Sequence, residues 1–295
     1  MATVSGGTTS ERFGFIHRYG QELGIVFLCK WLSVSRSGYY AWVQRDLPQR
    51  TKDDEHLLNK IATIFTESQG RYGSPRVFKM LLSQGIVVSR KRVERLMRAA
   101  NLRGRVVRVT RRQPGLKRFA AQGKNYLLET GNATQLNQVW VADVTYLKVK
   151  GRWQYLATVM DQYSRRILGW SLSATRTMKL SVDALMYALK KRGFPTNVIV
   201  HTDRGVEYTG YLFQEALRKF GLIHSVNRPG YCTDNAFMES FYHSLKAELI
   251  RGTIFACAGY LRKAIKGYIN TFYNQVRLHS GLGYLSPMEY ERRLV

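Results

Sequence analysis

Between residues 138 and 173 the chain presents three strand-like runs in succession: Gln138–Lys148 (QVWVADVTYLK), Arg152–Met160 (RWQYLATVM) and Arg166–Ser173 (RILGWSLS). All three are rich in β-branched and aromatic residues, and the links at Val149–Gly151 and Asp161–Ser164 are too short for a crossover, so the runs must pair antiparallel. Downstream the period changes. Helical spacing over Leu180–Lys191 is followed by a short apolar strand (Val198–His201), a helix (Tyr211–Phe220) and a strand (Leu222–Val226). A long helix starts near Asp234, and another covers Tyr260–Tyr273. A meander continued by alternating helix and strand predicts an α/β RNase H-like domain over residues 131–295 with a C-terminal helical tail.

Upstream the pattern is helical. Leu23–Trp31, a turn at Leu32–Ser35 with Ser35 as a cap, and Ser37–Trp42 predict a helix-turn-helix-like segment within 1–50. A second helical set occupies 51–102, with Leu57, Ile61 and Ile64 spaced by three and four, then the loop Gly70–Pro75, then Val77, Met80 and Leu81. Ser89 caps a helix that turns Val93, Leu96 and Met97 inward and Arg90, Lys91, Arg92, Arg95 and Arg98 largely outward. An all-α region therefore precedes the sheet. Residues 103–130 join the two as a linker or arm: from Arg103 to Lys124 there are eight basic residues and no acid.

The charge says what the chain meets. It carries 46 Lys and Arg against 20 Asp and Glu, a net +26, while 45% hydrophobic residues are enough to build cores and exclude wholesale disorder. Such an excess points to a polyanion, and Arg105, Arg108, Arg111 and Arg112 of the arm join Arg90, Lys91, Arg92 and Arg95 as candidate DNA contacts. No 18-residue apolar run is present, the N-terminus lacks a basic-then-apolar leader layout, and the basic residues do not form one long amphipathic helix, so no membrane role is expected. Three scattered cysteines fit neither a zinc spacing nor a disulfide framework, which predicts a reducing, cytoplasmic setting.

In so basic a chain the acids are informative. Asp143 interrupts an apolar strand between Val141 and Val144, where an ionised carboxylate is expensive without a metal, cation or donor to compensate it. Asp203 ends the apolar strand that includes Val198–His201. A third acid comes from Asp234, Glu239 or Glu248; Glu239 and Glu248, nine residues apart, face opposite ways on a helix, whereas Glu239 shares its face with Lys246, and His243 lies between. Three carboxylates suit two Mg²⁺ ions in an in-line phosphoryl displacement, because hard cations take oxygen ligands. Arg228 and Tyr231 belong to a loop before this helix and are candidate DNA contacts; Trp140, Trp153 and Trp170 read as core or strand-pair residues, and the tail cluster Arg277, His279 and Tyr284 reads equally as a packed lid or a DNA contact.

Several separated stretches agree in order and spacing with one family. VWVADVTYL, DQYSRRILGW, HTDRGVEY and DNAFMESFYHSLKAEL, with 35 residues between Asp203 and Glu239, resemble the OrfB-type transposases of the IS-three insertion-sequence family, whose core is integrase-like and of DDE type. The tail YNQVRLHSGLGYLSPMEY and the upstream LSVSRSGYYAW, YGSPRV and SRKRVERLMRAANLRG extend the resemblance from about residue 12 to 290. It departs at Val206–Glu207, where the family more often has Ser–Gln, and Glu207 adds a carboxylate beside Asp203.

The resemblance implies a polynucleotidyl transferase in which Asp143, Asp203 and Glu239 bind Mg²⁺, with Mn²⁺ able to substitute, and Lys246 touches DNA at the element's end. The implied reaction is nicking at the terminus to free a 3′-hydroxyl, then attack of that hydroxyl on a phosphodiester, commonly through a branched and then circular form. The implied partners are the terminal inverted repeats and target DNA, a second copy of the chain or a larger assembly, and an upstream OrfA helix-turn-helix protein; the implied place is the bacterial nucleoid. The competing readings are a protein that recognises element ends without catalysis, and a plain nuclease for RNA–DNA hybrids, which would have no need of residues 1–130.

Overall fold

The computed structural model describes residues 7–44, 49–105, 124–228 and 235–294. The chain divides into two compact units, Met1–Thr63 and Ile64–Val295, and the division falls inside the segment 51–102.

The first unit is helical. It contains α1 (Thr9–Leu23), α2 (Ile25–Trp31), α3 (Arg36–Gln44) and the start of α4 (Gln49–Glu67). α1 was not anticipated, although Thr8 and Glu11 spell a capping box: the Glu11 N–H donates to Thr8 Oγ1 (3.4 Å), and the Thr8 N–H donates to Glu11 Oε2 (2.7 Å). The helix expected from Leu23 starts only after Gly24, whose positive φ breaks it from α1. Ser35 does accept from the Gly38 N–H (3.0 Å), as its capping role requires. Phe13, Ile16, Leu28, Cys29, Leu32 and Tyr39 form this unit's core.

The second unit begins with the end of α4, then α5 (Ser74–Ser83) and α6 (Arg90–Ala99). Ser89 caps α6 by accepting from the Arg92 N–H (3.2 Å); Val93, Leu96 and Met97 are buried, while Arg90, Lys91 and Arg95 are exposed and Arg92 is half-buried. The short α7 (Leu127–Thr130) precedes the sheet strands β1 (Val139–Val149), β2 (Arg152–Asp161) and β3 (Ile167–Ser173). Then follow α8 (Met178–Arg192), β4 (Ile199–Thr202), α9 (Val206–Thr209), α10 (Tyr211–Lys219), β5 (Ile223–Val226) and α11 (Ala236–Leu245), which continues as a π-helix over Lys246–Ile250. α12 (Ala258–Lys266) also turns π-helical, over Gly267–Tyr273, so the single helix expected to Tyr273 changes pitch at Gly267; α13 (Pro287–Arg292) closes the tail.

The strands stand in the order β3-β2-β1-β4-β5, the first three antiparallel and β4 and β5 parallel to β1, which is the expected RNase H-like sheet. Each face has its own core. Val139, Val141 and Ile199 lie with Met238, Phe241, Tyr242 and Leu245 of α11, whereas Trp140, Ala142, Val198 and Val200 lie with Leu185 and Leu189 of α8 and Phe213 of α10. Two covered faces explain the nearly continuous apolar runs. α8 sits hard on β3 because residue 169 is glycine: a Cβ there would come within 2.1 Å of the Ala184 carbonyl oxygen.

Candidate active site

Strand register sets the approach to two of the acids. β1 pairs parallel with β4, and the pairing runs as far as Val141 and His201. Asp143 and Asp203 each follow two residues later, Asp143 still within β1 and Asp203 just past the end of β4. Asp143 has the alternation of Val139 and Val141, which face α11, and it is half-buried between the buried Val141 and Thr145. Cover is complete from Val139 to Ala142 and opens at Asp143. Asp203 sits just past the end of β4, also half-buried, and its Oδ1 accepts the Gly205 N–H at 2.9 Å, which folds the loop back on itself.

The third acid arrives on α11. This helix is tied to β1 on both sides of the relevant position. The Asn235 amide donates to the Ala142 carbonyl (3.1 Å), and the Tyr242 hydroxyl donates to the Asp143 carbonyl (2.5 Å), with Thr158 Oγ1 2.7 Å away. Glu239 lies between the two tethers and one turn before Tyr242. It is half-buried, whereas Met238, Phe241 and Tyr242 beside it are buried. Asn235 reads in the sequence as a helix cap or loop-ordering residue; it stands at the N-cap of α11, but its side chain bonds to β1 rather than to the helix, and a Tyr three residues after an acid carries no pattern of its own.

The other candidates for the third position separate by environment. Glu248 is almost fully buried and belongs to a structural ion pair: Arg277 Nη2 donates to its Oε1 (2.7 Å), Arg277 Nε to its Oε2 (2.9 Å) and the Tyr268 hydroxyl to its Oε2 (2.9 Å). Asp234 lies outside the described residues.

Two phenols report the field of the strand acids. Tyr208 and Tyr242 are wholly buried, and their hydroxyl pKa values stand well above the ordinary range, pushed up first by burial and then by the Asp143 charge, with Asp203 adding to both. Among the described residues no three His, Cys, Asp or Glu side chains are gathered as a closed metal cluster. Asp143 and Asp203 thus act on the same two buried phenols, and Glu239 sits on the helix tied to β1, without the three closing into one cluster. The donor set is nonetheless one of oxygens: His201, the nearest imidazole on β4, is buried with Nδ1 2.9 Å from Ser225 Oγ. Three carboxylates fit a hard divalent cation such as Mg²⁺.

The added carboxylate of Glu207 is not an open ligand. It is buried on α9 and ion-paired with Arg176, which also feels Asp203. Lys246 places its ammonium 5.0 Å from the ring centre of Tyr146, three places along β1 from Asp143, and His243 is half-buried on the face between Glu239 and Lys246. Arg228 is half-buried at the end of a described stretch; Tyr231, Arg108, Arg111 and Arg112 lie outside the described residues. Arg105 is exposed, and its guanidinium also donates to the Glu248 carbonyl (2.7 Å). Of the tail cluster, Arg277 is packed rather than exposed, and His279 stands edge-on to Tyr273 with its pKa pushed down to about 2 by burial and by Arg277.

The sequence matches known families. An integrase core domain model matches residues 133–232 and again 239–294, and an HTH-like domain model matches 52–110. The chain is 38% identical over 288 residues to the transposase InsF for insertion sequence IS3A of Escherichia coli (strain K12), covering 96% of this chain and 99% of that protein. This chain belongs to the IS3 family of insertion-sequence transposases. Another member, the transposase for insertion sequence element IS904 of Lactococcus lactis subsp. lactis (strain IL1403), is 39% identical over 238 residues, 81% of this chain and 94% of that one. Among solved structures, the simian T-cell lymphotropic virus intasome in complex with PP2A regulatory subunit B56 gamma superposes with a TM-score of 0.46 at 15% identity, covering 78% of this chain and 73% of that chain. No helix of this family member, among the described residues, is long and apolar enough to cross a membrane.

Proposed function

We propose that this IS3-family transposase is a DDE polynucleotidyl transferase that cuts DNA at the ends of its element to free a 3′-hydroxyl and joins that hydroxyl to a phosphodiester. The observation that carries the reading is that Asp143 and Asp203 each follow two residues after the paired Val141 and His201, and that the helix tied to β1 is tethered on both sides of Glu239. Asp143, Asp203 and Glu239 would hold Mg²⁺, or Mn²⁺ in its place. Held there, such ions would supply Lewis-acid stabilisation of the attacking and leaving oxygens of an in-line displacement. The chain's own residues set the frame: Asn235 and Tyr242 hold α11 at a fixed depth, the Gly205 N–H orients the Asp203 carboxylate, Lys246 offers a cationic contact and His243 a hydrogen-bonding one to the phosphates beside it. The exposed basic residues of α6 contact the duplex away from the chemistry. Two element ends must be processed in concert, so the working form is a dimer or larger assembly on DNA, with an OrfA-type helix-turn-helix protein as partner or fusion, acting in the bacterial cytoplasm at the nucleoid.

The test is nicking and joining of a plasmid bearing element ends in Mg²⁺, with Asp143→Asn, Asp203→Asn and Glu239→Gln compared to wild type. Each variant is expected to retain DNA binding and to lose strand cleavage by orders of magnitude. Cleavage at the wild-type rate by any of the three refutes the assignment of that residue. A wild-type chain that binds ends but never nicks them makes the protein an end-recognising factor without catalysis.

A further inference from the structure

Glu207, where the chain departs from the family pattern, has no part in the proposed chemistry, yet it is built into the loop that carries Asp203. Asp203 Oδ1 accepts the Gly205 N–H (2.9 Å), and a Cβ on residue 205 would stand 2.6 Å from Glu207 Oε1 and 2.7 Å from Oε2. Both carboxylates therefore meet the same glycine, and the Glu207 head folds back onto the loop because position 205 has no side chain to obstruct it. Arg176 reaches this carboxylate from the link between β3 and α8. Its Nε donates to Glu207 Oε1 (3.0 Å), and its Nη2 donates to the same oxygen.

This pair is not shaped as a stability clamp. The Glu207 side chain is 2% exposed, and its Oε2 is buried with no hydrogen-bond partner among the described residues. Glu248 shows the alternative: both of its oxygens take donors, and its arginine is buried with it. Arg176, by contrast, keeps 45% of its side chain in water. An orphaned, buried carboxylate oxygen is costly and calls for a role beyond packing. The charges supply one. Burial opposes the Arg176 charge, but the bond to Glu207 and the charges of Glu207 and Asp203 outweigh it and push the guanidinium pKa up. The neighbouring Tyr208 hydroxyl is pushed up by burial and then by charges that include Asp143, Asp203 and Glu207. Glu207 therefore belongs to the electrostatic field of the strand acids.

We propose that Arg176 and Glu207 are positioning residues that set the charge around Asp203, and through it the affinity of the acid site for a divalent cation. Glu207 holds the guanidinium within range of Asp203, and the guanidinium cancels the second negative charge that Glu207 brings. Asp203, Glu207 and Arg176 together carry a single net negative charge. Removing the Glu207 charge alone leaves none, because Arg176 then offsets Asp203; removing the Arg176 charge as well restores one. The inference rests on the reading of the acids as a metal site and adds two residues that act on it through Asp203.

The test uses the full chain without DNA and Mn²⁺ alone, with binding followed by loss of the free-ion electron paramagnetic resonance signal. Asp203→Asn defines the site: the binding it abolishes is the binding compared. Glu207→Gln is expected to weaken that binding about tenfold, the order expected of one charge acting on a dication through partly exposed protein. Arg176→Gln/Glu207→Gln should recover most of the loss, whereas Arg176→Lys/Glu207→Gln, which keeps the unpaired positive charge, should stay weak. A second substitution that restores affinity is a result a merely structural pair does not give, and circular dichroism melts show that each variant is folded. Wild-type Mn²⁺ affinity in Glu207→Gln, or a double Gln variant that binds no more tightly than Glu207→Gln, overturns the proposal and leaves the metal reading intact. A wild-type chain without Mn²⁺ binding that depends on Asp203 overturns the metal reading and this inference with it.

Discussion

Arg277→Met is the substitution with the best-defined cost. The guanidinium makes two close bonds to Glu248, 2.7 Å from Nη2 to Oε1 and 2.9 Å from Nε to Oε2, and a third from Nη2 to Ser244 Oγ at 3.0 Å. The two side chains are 6% and 4% exposed, so water cannot replace a missing partner. Methionine fills the space but leaves a buried carboxylate with only the Tyr268 hydroxyl on its side, and breaking a buried pair in this way costs about 3–5 kcal/mol. For a unit of this size that corresponds to a melting temperature lowered by about 6–20 °C. Thermal melts followed by circular dichroism give the shift, and Arg277→Met/Glu248→Met serves as the control. Removing both charges together should recover at least half of the loss, because the penalty lies in the orphaned carboxylate rather than in the missing attraction. If Arg277→Met melts within about 2 °C of wild type, or the double variant is worse than the sum of the singles, the pair is not the buried clamp described.

Tyr242→Phe removes one tether of α11 and leaves the Asp143 carbonyl short of a donor; a loss of about 1–3 kcal/mol is expected in urea melts, together with a higher Mg²⁺ requirement for nicking. Wild-type stability in that variant would show that the bond does not hold the helix. Acid should weaken the fold through two histidines. His224 is pushed down to about 4 by burial and then by His201, and His279 to about 2 by burial and then by Arg277, both below the ordinary value of 6.5. The unfolded chain therefore takes up more protons below that value, and stability falls as pH drops through 6.5 and onward. Each site contributes about 2 kcal/mol of loss between roughly pH 8 and pH 5. Urea midpoints that do not change over this range would contradict both burials.

The sheet was legible because its period is local. The β-branched and aromatic residues gathered in QVWVADVTYLK and RWQYLATVM, with a link too short to cross over, leave antiparallel pairing as the only outcome, and the observed strands differ from the expected runs by a residue at most ends. Asp143 stood out for a similar reason, as a charge set among valines. α1 is written in the sequence as the capping box of Thr8 and Glu11 and the short stripe Phe13, Ile16 and Gly20. The change of pitch at Gly267 and the fate of Glu248 left no mark in the sequence: helical spacing carries no information about which distant arginine will meet a carboxylate.

What the sequence determined by itself is the set of elements and their chemistry: strands where branched residues alternate, helices where apolar residues recur by three and four, a large positive excess, and acids too few to be scattered idly. What only the tertiary structure decided is which of these groups meet. The parallel pairing of β1 with β4 sets Val141 beside His201 across 60 residues of chain, each two residues before an acid, and Arg277 reaches back 29 residues to neutralise Glu248. Periodicity is a property of neighbours along the backbone, set by local dihedral geometry, whereas these meetings depend on burial of both sheet faces at once and become defined only when the whole core closes.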